Sequence, residues 1–128
     1  MQKNQIFAAA LDSMNNAYAP YSKFNVGAAI LADNGKIYSG CNVENVAFPS
    51  GSCAEQGAIS AMINGGGRKI IEILIISEGQ NLITPCGACR QRIREFADKN
   101  TKIHLANPDG IQQTYTIAEL LPASFEEF

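Results

Sequence analysis

The stretch Ile70-Ile71-Glu72-Ile73-Leu74-Ile75-Ile76-Ser77 contains the longest apolar run of the chain, interrupted only by Glu72. A short, almost continuously apolar segment is typical of a strand that is buried on both faces of a sheet. It is far too short to span a bilayer as a helix. The stretch therefore predicts the central strand of a sheet.

The segments around this strand predict a single α/β domain over residues 1–128. Apolar residues recur at helical or strand spacing, and turn-forming residues such as Asp33-Asn34-Gly35 separate the segments. No internal repeat, linker or low-complexity segment divides the chain. The order of elements implies a mixed sheet sandwiched between helices. The predicted elements are helices over 4–16, 53–64, 85–98 and 117–121 and strands over 24–31, 36–41, 70–77, 102–106 and 112–116.

The composition excludes several classes of function. The chain has 128 residues, 46% of them hydrophobic, and a formal net charge of -2, so it lacks the basic surface that a nucleic-acid polymer requires. Its first residues lack the apolar core of a signal peptide, and no segment is long enough to be a membrane span. We therefore expect a cytoplasmic protein with a small-molecule ligand and no membrane partner, whose four cysteines are free thiols or metal ligands.

Two short segments carry the candidate chemistry: Cys53-Ala54-Glu55 and Pro85-Cys86-Gly87-Ala88-Cys89. Three thiolates suit zinc and leave its fourth tetrahedral position open for water, while a nearby carboxylate can move protons to and from that water. Taken alone, the second segment could be a redox pair, and the first could be a buried thiol beside a solvated helix residue. The combination favours a catalytic zinc site.

Both segments lie where a helix is predicted to begin, with Pro85 in the first turn of the third helix. Helix N-termini present unpaired N–H groups and a partial positive charge, which stabilise thiolates. Glu55 is poorly placed to be a fourth ligand, so it can instead take a proton from water whose pKa the metal lowers. An electron-poor carbon that bears an amino group is a plausible target. This signature and its chemistry are already established for the zinc-dependent nucleobase deaminases.

The chain resembles the cytidine deaminase family, specifically the small homotetrameric type with three cysteine ligands. The resemblance implies a three-layer α/β/α fold with a five-stranded mixed sheet of order 2-1-3-4-5, one Zn²⁺ per subunit, and a homotetramer with shared active sites. Besides the two cysteine segments, it rests on the ordered matches Tyr18-Ala19-Pro20-Tyr21-Ser22, Phe24-Asn25-Val26-Gly27-Ala28-Ala29, Gly40-Cys41-Asn42-Val43-Glu44-Asn45, Arg90-Gln91, Glu119-Leu120-Leu121-Pro122 and Phe125.

The resemblance also implies a reaction: hydrolysis of cytidine or 2′-deoxycytidine to uridine or 2′-deoxyuridine, with release of ammonia in pyrimidine salvage. Zinc-bound hydroxide would attack the ring carbon, and Glu55 would shuttle the protons. The implied zinc ligands are Cys53, Cys86 and Cys89.

The implied substrate contacts lie outside the cysteine segments, apart from Ala54. Asn42 and Glu44 would hydrogen-bond the ribose, since an amide and a carboxylate are good partners for a hydroxyl. Phe24 would line the base pocket, the backbone around Ala54 would contact the pyrimidine edge, and Phe125 would reach the base in a neighbouring subunit's site. The residues alone favour other roles: a turn for Asn42, a solvated loop acid for Glu44 and an ordinary core residue for Phe24.

Two positions depart from the family pattern. Many relatives carry arginine directly after the glutamate, where it offsets the thiolate charge, but this chain has Gln56. We therefore expect a more electron-rich zinc site and a higher pKa of the bound water; an unshifted acidic limb in the pH–rate profile of Gln56→Arg would contradict this. Phe48 stands where tyrosine is common, so any contact made by that hydroxyl is absent.

Two other functions remain open. The chain could deaminate another aminopyrimidine compound such as blasticidin S, although the intact segment Asn42-Val43-Glu44-Asn45 favours a plain sugar. It could also be a structural zinc module with Cys41 as fourth ligand, although a small buried hydrophobe is the simpler role for that residue. We expect the lone His104 to be structural and Arg90 to support the ligand helix.

Overall fold

The computed structural model describes residues 2–79 and 82–126. Every predicted element is present, and the boundaries differ from the predicted ones by at most two residues. The helices are α1 (Gln2–Asn15), α2 (Ala54–Asn64), α3 (Gly87–Phe96) and α4 (Ile117–Leu120), and a 3₁₀ turn covers Phe48–Ser50. The strands are β1 (Val26–Ala32), β2 (Ile37–Cys41), β3 (Ile70–Ser77), β4 (Lys102–Asn107) and β5 (Gly110–Thr116).

The five strands form one mixed sheet in the order β2-β1-β3-β4-β5, which confirms the order implied by the resemblance. Strand β1 is antiparallel to both of its neighbours, β3 and β4 are parallel, and β5 is antiparallel to β4. A parallel pair needs a crossover connection, and α3 supplies it between β3 and β4. This crossover carries the second cysteine segment.

Strand β3 is buried on both faces, as its apolar run predicts. Ile73 and Ile75 pack into a core cluster with residues of α2 and α3, whereas Leu74 and Ile76 pack into a second cluster with residues of α1. Each of these four side chains is at most 1% exposed. Because successive side chains of a strand point to opposite faces, one short run supplies both cores of a three-layer α/β/α arrangement.

Two glycines let helices approach the sheet closely. A Cβ atom at Gly40 on β2 would lie 2.5 Å from the backbone nitrogen of Ala58 and 2.8 Å from the carbonyl oxygen of Ala54 in α2. At Gly27 on β1, it would lie 2.1 Å from the carbonyl oxygen of Ala10 in α1. Gly40 therefore lets the first turn of α2, where one cysteine segment begins, rest directly on the sheet.

In the part of the chain that the structure describes, no helix combines the length and the apolar character needed to cross a membrane. The cytoplasmic location expected from the cysteine content stays a prediction.

Candidate metal and catalytic site

Helices α2 and α3 each begin directly after a cysteine. Cys53 and Cys86 are the N-cap residues, and both have extended backbone. The prediction that Pro85 lies in the first turn is wrong: because Cys86 is extended with ψ at 168°, the helix starts only at Gly87. Both thiols therefore stand at a helix N-terminus, where unpaired backbone N–H groups and the helix dipole favour the thiolate form.

The two helix starts bring three thiols together. The Sγ atoms of Cys53, Cys86 and Cys89 all lie within 4.8 Å of one another, and Cys41 is not part of this group. Among the described residues no fourth ligand joins the group, and three soft sulfur donors fit a zinc ion that keeps one open coordination position. A closed structural site that uses Cys41 does not fit this arrangement.

The three thiols differ in how readily they ionise. The backbone N–H of Cys89 holds the pKa of the exposed Cys86 below its usual value of 9.0. Burial raises the pKa of Cys53, although a hydrogen bond with Cys89 offsets part of this rise. Burial, reinforced by Glu55, also raises the pKa of Cys89 well above its usual range. Two of the thiols therefore need a bound cation before they become thiolates at neutral pH.

Glu55 is the second residue of α2 and lines the cavity beside the thiols. Its side chain is only 5% exposed. Burial raises the pKa of this carboxyl above its usual value of 4.5, and the positive charge of Arg92 offsets part of the rise. A buried carboxyl beside the thiols is thus in position to take part in proton transfer.

A cavity of about 640 Å³ opens above these groups. We call Cys53, Cys86, Cys89 and Glu55 the floor of the site, and Tyr21, Ser22, Glu44, Phe48 and Ile83 its rim. Apart from Cys89, which lies behind the surface, all of these residues line the cavity. The remaining lining residues are Val26, Asn42, Val43, Asn45, Gly51, Ser52, Ala54 and Thr84.

Glu44, one of the predicted sugar-binding residues, is held in place at the rim. One carboxylate oxygen accepts hydrogen bonds from the backbone N–H groups of Tyr21 at 3.0 Å and Ser22 at 3.1 Å, and the other accepts one from the Ser22 hydroxyl. These bonds, the hydroxyl first, hold the pKa of Glu44 below its usual value of 4.5. Glu44 is therefore a preorganised carboxylate that is ionised at neutral pH.

Asn42, the second predicted sugar-binding residue, ties the loop to the sheet. Its Nδ2 atom donates to the carbonyl oxygen of Phe24 at 2.9 Å, and its Oδ1 atom accepts from the backbone N–H of Val26 at 2.9 Å. An amide can donate two hydrogen bonds and accept two, so within the described chain Asn42, which lines the cavity, keeps one donor and one acceptor position unused.

The other predicted substrate contacts divide into two groups. Ala54 lines the cavity, whereas Phe24 and Phe125 do not, and the predicted contact of the Ala54 backbone with the pyrimidine edge stays a prediction. Phe125 is 67% exposed, and its backbone pairs with the side chain of Gln91 at 2.8 and 3.3 Å. The base contacts of Phe24 and Phe125 stay predictions.

The sequence did not single out Arg92, whose Nη1 atom donates a hydrogen bond to Cys89 Sγ at 3.3 Å. Its position three residues after Cys89 on a helix is the signal that could have identified it. Arg90 was expected to support the ligand helix, and it binds the carbonyl oxygens of Pro85 at 2.7 Å and Leu120 at 2.8 Å. His104 is buried in the sheet, with Nδ1 2.8 Å from the Thr114 hydroxyl, in keeping with a structural role.

Comparisons with known proteins agree with this geometry. Residues 1–105 match the family described as the cytidine and deoxycytidylate deaminase zinc-binding region. A cytidine deaminase of Sporosarcina psychrophila is 39% identical over 99% of this chain and 93% of its own length. One from Halalkalibacterium halodurans is 36% identical over 98% of this chain and 95% of its own.

Solved structures extend the similarity to the fold. The crystal structure of cytidine deaminase from Burkholderia pseudomallei superposes with a TM-score of 0.90 at 36% identity, covering 98% of this chain and all of the other. The enzyme from Mycobacterium tuberculosis gives a TM-score of 0.84 at 32% identity, covering 99% of each chain. The family matches most of the chain, and the relatives match it over nearly their full length. This chain therefore belongs to the cytidine and deoxycytidylate deaminase family.

Proposed function

We propose that this protein is a zinc-dependent hydrolase that converts cytidine and 2′-deoxycytidine to uridine and 2′-deoxyuridine with release of ammonia. The observation that carries the proposal is the floor: three thiols within 4.8 Å of one another beside a buried carboxyl at the base of a cavity. All five strands belong to one sheet, so we treat residues 1–128 as one catalytic domain.

The chain's own groups divide the work at the floor. Cys53, Cys86 and Cys89 would hold one zinc ion, which, when bound, supplies a Lewis acid that makes water a nucleophile at neutral pH. The N-termini of α2 and α3 favour the negative charge of the ligands. The net result is addition of water at the ring carbon that bears the amino group, followed by cleavage of the C–N bond.

Glu55 supplies the proton transfers that this exchange needs. It accepts a proton from water and delivers it to the neighbouring ring nitrogen, and it then passes a second proton to the departing amino group. Both protons come from the one water that is consumed: one stays on the ring nitrogen and the other leaves with the amino group as ammonia, while the ring carbon that carried the amino group becomes a carbonyl carbon. Its buried position supports this role, because burial raises the pKa of the carboxyl and so favours its protonated form more than exposure to water would.

The rim supports a nucleoside as the substrate. A cavity of about 640 Å³ has the size of a small-molecule site. A carboxylate offers about four acceptor positions, and Glu44 uses three of them within the chain. The fourth acceptor position of Glu44, together with the unused donor and acceptor positions of Asn42, can bind sugar hydroxyls. A bulkier blasticidin-type substrate has no comparable support.

The direct test is a substrate panel. Purified protein with measured zinc content is incubated with cytidine, deoxycytidine, cytosine, dCMP and blasticidin S, and the ultraviolet change on deamination is followed. We expect turnover of both nucleosides, loss of turnover after chelation, and recovery on adding zinc. Zinc-loaded protein that leaves both nucleosides unchanged would overturn the assignment.

We also propose that the protein works as a homotetramer whose active sites are shared between subunits. Large apolar side chains stand exposed around the cavity and near the C-terminus: Val46 is 77% exposed, Phe48 75% and Phe125 67%. Exposed apolar groups gathered near a site are typical of surfaces that bind another protein. A neighbouring subunit would cover them and would bring its own Phe125 to the base.

Complementation between two inactive variants tests the sharing. Glu55→Gln keeps Phe125, and Phe125→Ala keeps Glu55. If Phe125 acts in a neighbour's site, co-expression of the two variants produces some sites with both residues intact, and activity exceeds that of either variant alone. If activity stays at the mean of the two variants, Phe125 acts within its own chain or not at all. Sedimentation velocity of the wild-type protein checks for the tetramer.

A further inference from the structure

The negative charge of the floor needs a nearby positive charge to balance it. Three thiolates around Zn²⁺ leave a net charge of about -1, and an ionised Glu55 adds another negative charge. Position 56, where the family resemblance implies a compensating arginine, holds the neutral Gln56. Within the described residues, the side chain of Gln56 forms no hydrogen bond. It therefore neither carries a positive charge nor donates a hydrogen bond to a thiol of the floor.

Arg92 approaches the same thiols from the other helix. It lies one turn after Cys89 on α3, and residues three apart on a helix share a face. Its guanidinium donates to Cys89 Sγ at 3.3 Å, and the side chain is half-buried. Cys89 itself is fully buried, so water screens this contact far less than it would screen an ion pair on the surface.

We propose that Arg92 is the positioning and charge-balancing residue of the zinc site, doing from α3 what an arginine at position 56 would do from α2. The inference rests on the zinc site of the proposed function. A hydrogen bond from a guanidinium withdraws negative charge from the sulfur it contacts, and such partners of metal ligands tune both metal affinity and ligand donor strength. A neutral residue at position 56 is then sufficient, because Arg92 on α3 supplies the positive charge.

The neighbouring arginines provide matched controls. Arg94 lies on the same helix and carries the same charge, but its guanidinium pairs with Glu126. We therefore compare Arg92→Gln with Arg94→Gln, with the charge-conserving Arg92→Lys, and with the double variant Arg92→Gln/Gln56→Arg. The primary measurement is the rate at which each zinc-loaded protein gives up its metal to a chromophoric chelator at neutral pH.

We expect Arg92→Gln to release zinc faster by about 10- to 100-fold, the usual effect of losing a hydrogen-bond partner of a metal ligand. Arg94→Gln should match the wild type, and Arg92→Lys should lie between. The double variant should recover most of the loss, because the charge returns from the other side. Gln56→Arg alone should change little, since Arg92 already balances the site.

A spectroscopic measurement separates charge balance from simple packing. In cobalt-substituted protein, the thiolate-to-metal charge-transfer band should move to lower energy in Arg92→Gln, because electron-richer sulfurs are more easily oxidised. Zinc release and a band position equal to those of Arg94→Gln would overturn the inference. So would a faster release that Gln56→Arg does not reverse and that accompanies a lower melting temperature of the metal-free protein. Wild-type protein that binds no zinc would instead overturn the proposed function.

Discussion

The floor and the rim of the cavity are built in opposite ways. At the floor, Cys89 is fully buried and Glu55 is 5% exposed, and both stand on helices whose inner faces belong to the core. At the rim, Phe48 is 75% exposed on a 3₁₀ turn of three residues. The chemistry is thus placed on helices that pack into the core, whereas the rim includes a loop whose Phe48 stays largely exposed although its ring contacts that of Tyr21.

The largest effect should come from removing a ligand at the floor. Cys86→Ala should leave two thiols, lose zinc and abolish turnover. Since losing only a partner of a ligand costs about 10- to 100-fold, losing the ligand itself should cost more. Cys86 is exposed, so the substitution leaves no cavity in the core. Metal content and turnover are measured together.

The matched control for this change is Cys41→Ala, because Cys41 lies outside the thiol group. It should keep both zinc and activity. Loss of zinc from this variant, with Cys86→Ala still loaded, would contradict the open three-thiol floor and restore the structural-module hypothesis.

Glu55→Gln should have the next largest effect. The amide fits the same space but cannot accept and return a proton, so kcat should fall by about 10²- to 10⁴-fold, the usual contribution of a positioned acid–base group. Zinc content and KM should change little, because ligands and rim are untouched. A fall in zinc content parallel to the fall in kcat would mean that Glu55 is structural.

The same division explains what the sequence could predict. The floor depends on residue types with few alternative roles, three cysteines and a glutamate, at positions that local helix signals place at helix starts. The rim depends on contacts that no local pattern encodes: Ser22 and Glu44 meet across 22 positions and have ordinary loop roles on their own. The order of the five strands likewise came from family resemblance, since periodicity identifies strands without pairing them.

The role of Arg92 is only partly predictable from the sequence. Three arginines alternate along α3, and their spacing distributes them around the helix. Only the packed structure shows that Arg90 supports the preceding loop, Arg92 contacts a ligand thiol and Arg94 pairs with Glu126. The consequence of Gln56 predicted from sequence, a more electron-rich metal site, must therefore be reconsidered with Arg92 in place.

At the rim, Glu44→Gln should raise KM for deoxycytidine by roughly tenfold, the scale of one hydrogen bond to a charged group, with a smaller change in kcat. The variant loses the negative charge that we propose binds the sugar and that accepts the hydrogen bond of the Ser22 hydroxyl. Glu95→Gln, a change at an exposed helix carboxylate outside the cavity lining, is the control. An unchanged KM would remove Glu44 from the substrate contacts and leave it as a loop anchor only.

The smallest expected effect concerns the pH dependence of the rim. The Ser22 hydroxyl is the main cause of the lowered pKa of Glu44, so Ser22→Ala should return that pKa toward its usual value of 4.5. A depressed carboxyl pKa means that the hydrogen bonds to Glu44 are fully present above the usual pKa and are lost as the pH falls through the lowered pKa.

If binding needs ionised Glu44, the apparent KM doubles at about the pH that equals the pKa of Glu44, where half of the carboxylates are protonated. That doubling should occur below pH 4.5 in the wild type and at a higher pH in Ser22→Ala, with similar KM values at pH 7. Circular dichroism at each pH verifies that the protein remains folded, and a doubling at the same pH in both proteins would show that the hydroxyl does not control the charge of the rim.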